Sequence, residues 1–457
     1  MRNNDIDNKD FLGYEPVTHL VLRLALPAVV AQIVSLLYNI VDRMFIGHMA
    51  FESTLALTSL GVCFPLITIV MAFTALVVSG SAPRASIFLG KKDRDTAEKI
   101  MGNSFSALIL VSVLLTFLML FFTRPLLYFF GASDRTIDLA TTYLTIYALG
   151  TIFVQVALGM NGFIIAQGFS RIGMIAVLIG AGLNIALDPL FIFVFNYGVA
   201  GAAMATIIAQ AFSAFYVMHF LLGNKSVLRL KRANLHINKK ILLPSLFLGL
   251  GPFIMTSTQS AMFAAFNINL LRYGGDLAVG SMTIAMSFTS LSHQLVAGIG
   301  QGAQPVISYN YGSSNKERLN QAIKVLFISS VLITFSLLFF IEWKPGLFIV
   351  LFTNDPQLTS LTTWAIRIYA SSCGIFGLQN AAQMTFTSLG EAKVSSSIAI
   401  LRKIVLLVPL IFILPYLMSN KLLGVFLAEP ISDTLSVVYT MVMFYFVMKR
   451  INHKMAH

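Results

Sequence analysis

Residues 172–195, IGMIAVLIGAGLNIALDPLFIFVF, form an unbroken apolar run whose only charged residue is Asp188. At about 1.5 Å of rise per helical residue, such a run can cross the roughly 30 Å hydrocarbon layer of a bilayer. An ionised carboxylate is costly there, so an acid in that position marks a functional site by default. Pro189 follows it directly. A proline has no backbone N–H to donate and strains the preceding turn, so the Ile185 carbonyl is expected to seek another partner.

The rest of the chain supports the bilayer reading. Of 457 residues, 57% are hydrophobic and only 11% charged, and the mean hydropathy is +0.82. A soluble protein of this length needs far more charged surface. Apolar runs of comparable length recur from end to end, which identifies an all-α polytopic membrane protein. The opening MRNNDIDNKDFLGYEP lacks the basic, apolar and small-residue layout of a cleaved signal, so the first helix is expected to be retained. Cys63 and Cys373 both lie in apolar runs, which argues against a disulfide framework. The net charge of +12 is explained by basic residues flanking membrane helices, not by nucleic acid.

Apolar runs between polar breaks predict twelve transmembrane helices. The first six lie near 22–46, 54–79, 102–122, 139–162, 172–195 and 199–222, and the second six near 242–270, 277–302, 322–341, 361–384, 395–417 and 422–448. With the N-terminus inside the cell, 24 of the 31 Lys and Arg residues fall on the cytoplasmic side and 7 outside. Both termini of this multi-pass cell-membrane protein are therefore expected in the cytoplasm. The stretch 223–240, GNKSVLRLKRANLHINKK, carries six positive charges and no acid. It reads as a cytoplasmic linker against anionic lipid, with no aromatic platform for nucleic acid.

The chain also repeats itself. SAPRASIFLGKKDRDTAEKI resembles GAQPVISYNYGSSNKERLNQAI, with prolines 305 − 83 = 222 apart and glycines 312 − 90 = 222 apart. GFSRIG corresponds to GEAKVS, with 390 − 168 = 222, and LALPAVV to GLGPFIM, with 252 − 27 = 225. Two copies of a six-helix unit are implied: a lobe at 1–222, the linker at 223–240 and a lobe at 241–457. Six is even, so both copies enter the membrane in the same sense. They are then related by a pseudo-twofold axis along its normal, a plan suited to alternating access.

LPAVVAQIVSLLYNIVDRMFIGH, LNIALDPLFIFVFNYGVAGAAMAT and QPVISYNYG together resemble the multidrug and toxic compound extrusion (MATE) family across essentially the whole chain. The resemblance implies a twelve-helix antiporter that takes up a proton or sodium ion while exporting an organic, often cationic compound. By position, the family's cation site carries over to Asp42, Asn184, Asp188 and Thr206. Some members add a glutamate in helix 7 and an aspartate in helix 10. This chain departs from that pattern, offering Gln259, Asn267 and Asn269 in the one and Gln379, Asn380 and Gln383 in the other.

The residues support the same assignment by a separate route. Asn184 and Asp188 are four apart and share a helix face. A carboxylate, an amide oxygen and a loosened carbonyl suit either a sodium ion or a protonated carboxyl. Asp42 and Asp188, if neighbours, would bind protons as a pair. Glu429 and Asp433 lie one turn apart in the last helix, as a counter-charge for substrate, a second proton site, or partners of Arg402 or Lys403. His293, Gln259 and Gln383 are further candidates for a substrate or proton site. GIGQG at 298–302 lies inside a span and reads as close helix packing rather than a phosphate loop.

The expected function is therefore cation-coupled export of organic, cationic or amphipathic compounds, and so drug and antibiotic resistance. No cofactor is expected beyond the coupling ion, proton favoured over sodium. The expected partners are a small organic substrate and the bilayer, and the expected state is a monomer. A flippase for lipid-linked envelope precursors is the alternative, though it would want a cation-rich cleft. A membrane-embedded enzyme would need a nucleophile or metal cluster, and the sequence shows neither motif.

Overall fold

The computed structural model describes residues 11–47 and 53–455. The polar segment 1–10 expected in the cytoplasm, residues 48–52 and residues 456–457 lie outside the described residues. Every regular element among the described residues is helical. The first half runs α1 Phe11–Tyr14, α2 Val17–Gly47, α3 Ser53–Gly90, α4 Arg94–Phe121, α5 Thr123–Phe129, α6 Ile137–Ala166, α7 Ser170–Pro189 and α8 Gly198–Leu222, with a π-helical turn Leu190–Val194 extending α7. The second runs α9 Lys239–Ser257, α10 Gln259–Gly312, α11 Lys316–Trp343, α12 Pro345–Ile349, α13 Pro356–Tyr369, α14 Cys373–Ser388, α15 Ala392–Ile400, α16 Val408–Leu417 and α17 Lys421–Lys454. A π-helical stretch Leu401–Leu407 joins α15 to α16.

Ten described stretches are long and apolar enough to cross a membrane. Two more predicted spans are concealed by the way helices merge and break. Lys239–Gly312 is a single stretch of 74 residues. It holds both 242–270 and 277–302, separated at Gly275, where φ 64° and ψ −164° suit only glycine. The span 361–384 is instead cut into α13 and α14 at residues 370–372, so neither part reaches spanning length alone. Ten plus one plus one gives the twelve spans of the two-lobe plan.

Two compact units make up the chain, one containing Val30–Gly249 and α1, the other Pro16–Val29 and Leu250 onward. The first buries Leu66, Leu144 and Ile192 around one core, and Leu108, Phe163 and Val217 around another. The second buries Phe266, Phe288, Ile366 and Phe426. Phe215 is 72% exposed and Phe339 69%, as side chains facing lipid tails would be. Within the second unit, a Cβ on Gly298 would fall 2.6 Å from the Val29 Cα, and one on Gly302 2.3 Å from that of Ala25. Those glycines let the start of α2 lie directly on α10.

The internal repeat is visible in the turns. Lys92 and Ser314, 222 apart, both take left-handed φ, 60° and 56°, just ahead of α4 and α11. Gly168 and Gly390, again 222 apart, do the same at φ 88° and 80°.

Candidate functional site

In the first unit the four predicted residues converge. Asn184 and Asp188 share one face of α7, and the Asn184 amide donates to Asp188 Oδ1 at 3.1 Å. The same amide reaches Thr206 Oγ1 of α8 at 3.4 Å, while Thr206 donates to the Ala202 carbonyl of its own helix at 3.0 Å. Asp188 is fully buried and Asn184 2% exposed. Asp42, from the C-terminal part of α2, sits close enough to Asp188 for the two carboxyls to interact directly. Asn184 Oδ1 and Asp188 Oδ2 are buried oxygens that meet no protein donor.

This arrangement is an acceptor-rich pocket. Buried oxygens without donors are costly. A proton on one carboxyl, or a small cation among the oxygens, would satisfy them. The donor set fits either ion: carboxylate and neutral oxygens are what hard cations take, and two touching acids naturally share a proton. The backbone helps. α7 stays regular to Pro189 and then widens into the π-helical turn Leu190–Val194, which begins at Leu190 one residue after the proline. Tyr143, stacked on Tyr147 at 6.3 Å, is within electrostatic reach of both Asp42 and Asp188. Tyr38 lies one turn from Asp42 on α2 and also feels its charge. The sequence reading did not pick out these tyrosines. The i, i+4 spacing of Tyr38 and Asp42 was the available signal.

In the second unit, Glu429 and Asp433 lie in a cavity of about 360 Å³ with Arg402, Lys403 and His293. Arg402 Nε donates to Asp433 Oδ1 at 2.7 Å, and Ser372 donates to Asp433 Oδ2 at 3.1 Å. Glu429 is held more loosely, at 3.4 Å from Arg402, 3.6 Å from Lys403 and 3.4 Å from the Tyr369 hydroxyl. His293 stacks on Phe376 at 4.1 Å, and the Arg402 guanidinium covers that ring at 5.1 Å. Gln259 lines the same cavity. Gln383 does not: its amide donates to Ser395 Oγ at 2.7 Å and ties α14 to α15.

Arg402 and Lys403 require a correction to the charge count. The count of 24 assigns them to the cytoplasmic side although the predicted span 395–417 already contains them, and both lie well inside the stretch Ala392–Leu417, 1% and 9% exposed. Removing them leaves 24 − 2 = 22 inner charges against 7, so the orientation argument keeps its sign. The cavity is not cation-rich, because two acids balance the two bases.

The linker 223–240 is strapped to the first unit. Buried Glu98 pairs with Lys231 and with Arg94, and accepts from the Arg229 N–H at 3.2 Å. Asn103 Oδ1 accepts from the Asn238 N–H at 2.5 Å, and Gln167 Oε1 from the Leu228 N–H at 2.8 Å. Among the described residues, no three His, Cys, Asp or Glu side chains gather as a metal-binding group.

The MatE family model matches residues 27–190 and, a second time, 252–413. The chain belongs to the MatE family. The two matched blocks start 252 − 27 = 225 residues apart, the separation of the corresponding Pro27 and Pro252. Relatives include the multidrug export protein MepA of Staphylococcus aureus (strain MRSA252), 26% identical over 95% of each chain. MepA of Staphylococcus haemolyticus (strain JCSC1435) is also 26% identical, over 94% of each. Among solved structures, an outward-facing multidrug resistance MATE family transporter of the MOP superfamily superposes with a TM-score of 0.90 at 22% identity, covering 97% of this chain and 98% of that one. A MATE structure in the bent conformation gives 0.91 at 21% identity, with full coverage of both. This is therefore a MATE transporter by family and by fold, and its twelve spans make it a multi-pass membrane protein.

Proposed function

We propose that this MATE protein exports small organic compounds from the cell in exchange for a cation that enters through Asp42, Asn184, Asp188 and Thr206, the cation being a proton. The relatives' names as multidrug export proteins support the export half of this reading. The observation that carries the coupling half is the Asp42–Asp188 contact inside a buried pocket with donorless oxygens. Both termini lie in the cytoplasm on this reading, and the lobes divide near the basic linker.

Two adjacent carboxylates repel when both are ionised, and in a low-dielectric pocket that repulsion is strong. A proton converts the repulsion into an O–H···O bond, so loading the pair draws α2 toward α7. Unloading it pushes them apart. A ligand shifts a conformational equilibrium only by its different affinity for the two states. The pair supplies that difference if it is tight when loaded from outside and loose when open to the cytoplasm. Asn184 Oδ1 and Thr206 Oγ1 also give sodium a neutral-oxygen shell, so the pocket takes either ion chemically.

The deciding experiment reconstitutes the full chain in vesicles and imposes a pH gradient and a sodium gradient separately. The expected result is dye export driven by the pH gradient alone. Export driven only by sodium would reassign the ion, and export under neither would remove the antiport reading.

A further inference from the structure

The cavity of the second unit is not used by the coupling chemistry, and its charges are arranged unusually. Glu429 and Asp433 project from one turn of α17, while Arg402 and Lys403 are consecutive residues of the π-helical stretch 401–407. At the position 222 residues earlier, the first unit has Gly180 and Ala181. The cluster is thus an addition of the second half and not part of the shared plan.

The two ion pairs differ in strength. Arg402 and Asp433 make a contact of 2.7 Å, backed by Ser372 on the acid and Phe376 under the guanidinium. That is a fully formed charge-assisted bond. Lys403 and Glu429 stand at 3.6 Å, well beyond such a bond, and the other contacts of Glu429 are 3.4 Å each. All four residues line the cavity, beside Met255, Met262, Phe263 and Met286. Its volume of about 360 Å³ falls within the range of drug-sized sites. The wall therefore joins a soft apolar patch to hydroxyls and amides such as Thr256, Gln259 and Asn380, with one anchored ion pair and one loose pair facing the open space.

Charge neutrality selects what can enter. A monocation that took Glu429 would leave the Lys403 ammonium unpaired in a buried wall. A monoanion on Lys403 would leave Glu429 only its long contacts with Arg402, which Asp433 already engages, and the Tyr369 hydroxyl. Both losses are large in this environment. A molecule carrying its own ammonium and carboxylate can insert between the loose partners and give each a new counter-charge. We infer that this cavity is a substrate site for amphipathic zwitterions, with Glu429 holding the ammonium, Lys403 the carboxylate, and the methionine and phenylalanine wall the apolar body. The inference rests on the export reading, since it names the compound class exported, but it concerns binding and not the coupling ion.

The test measures equilibrium binding to the full chain in lipid nanodiscs without any ion gradient, so its outcome is independent of whether gradient-driven export is found. Three fluorescent probes share one aromatic body: Nε-dansyl-lysine is the zwitterion, its methyl ester a monocation, and its Nα-acetyl derivative a monoanion. The zwitterion is expected to bind about tenfold tighter than either relative. Lys403→Met should invert this order in favour of the ester, because Glu429 then keeps only its long contacts with Arg402, already engaged by Asp433, and the Tyr369 hydroxyl. Glu429→Gln should invert it in favour of the acetyl derivative. An inversion also proves the variant folded, since binding of one probe is gained. If a variant does not fold, the wild-type order still decides. Equal or tighter binding of the ester by the wild type, or an order unchanged in both folded variants, overturns the proposal.

Discussion

The two units of this MATE transporter solve the placement of charge inside a membrane in opposite ways. The first brings two acids together: Asp42 meets Asp188, and Asp188 accepts from the Asn184 amide, which also reaches the Thr206 hydroxyl. The second balances every acid with a base, Asp433 with Arg402 and Glu429 with Lys403. Both halves use a π-helical turn, but at different depths. In the first it comes at 190–194, behind Asp188, and in the second at 401–407, under the two bases. Applying the 222-residue offset to the first would place it at 412–416. An unbalanced cluster changes its energy greatly when one small cation arrives. A balanced cluster does not, and so it is suited to holding a ligand, not to sensing an ion gradient.

The most severe break of this contrast is Asp188→Asn. It removes the titratable group that the first unit cannot replace, and gradient-driven export should fall to background. Asp42→Asn should do the same, whereas dansyl-lysine binding in the second unit supplies an internal measure of folding for both. Vesicle export together with equilibrium binding checks this. Full export in both variants would mean that the acid pair does not couple transport.

Stability should move in opposite directions in the two units. Arg402→Met leaves Asp433 and Glu429 buried with one partner fewer, and removal of one member of a buried pair costs about 3–5 kcal/mol. Asp188→Asn replaces one of two like charges by an amide that can still hydrogen-bond, so it should cost nothing measurable or stabilise slightly. Denaturation of purified protein in detergent distinguishes them. The double variant Arg402→Met with Asp433→Leu, which removes a whole pair, should recover much of the loss. Equal destabilisation by Arg402→Met and Asp188→Asn would erase the distinction between the units.

What the sequence disclosed follows from the same physics. Hydrophobic length is a direct consequence of bilayer thickness, so the spans could be located, some to the residue or nearly so, as at 199–222 against Gly198–Leu222, while other helices run on beyond the apolar run, as at 54–79 against Ser53–Gly90. Merging across Gly275 and splitting at 370–372 could not, because they depend on backbone torsions and not on hydropathy. The Asp42, Asn184, Asp188 and Thr206 constellation came from the family resemblance, and Asp188 was legible besides, because a lone acid in an apolar run is conspicuous. Arg402 and Lys403 fall inside the predicted span 395–417 yet count there as flanking charges, because charge near the margin of a run looks like a loop. Only the course of the helix shows them ten residues deep, paired with acids 27–31 residues later in the chain.

The smallest difference between the halves is also the easiest to isolate. Asp93 caps α4 by accepting from the Thr96 N–H at 3.0 Å, and Asn315, 222 residues later, caps α11 by accepting from the Arg318 N–H at 3.2 Å. Each cap should contribute about 1 kcal/mol, so Asp93→Ala and Asn315→Ala should loosen their first helical turns about equally at neutral pH. Only Asp93 can lose its cap to acid. The Thr96 N–H holds its carboxyl below the usual aspartate range, so its contribution is complete above that range and fades as pH falls through the lowered value. Asn315 has no such dependence. Deuterium uptake across residues 94–99 and 316–321, corrected for intrinsic exchange, should rise at acid pH in the first segment only, and Asp93→Asn should abolish the rise. A parallel rise in both segments would show that the turns respond to something other than their caps.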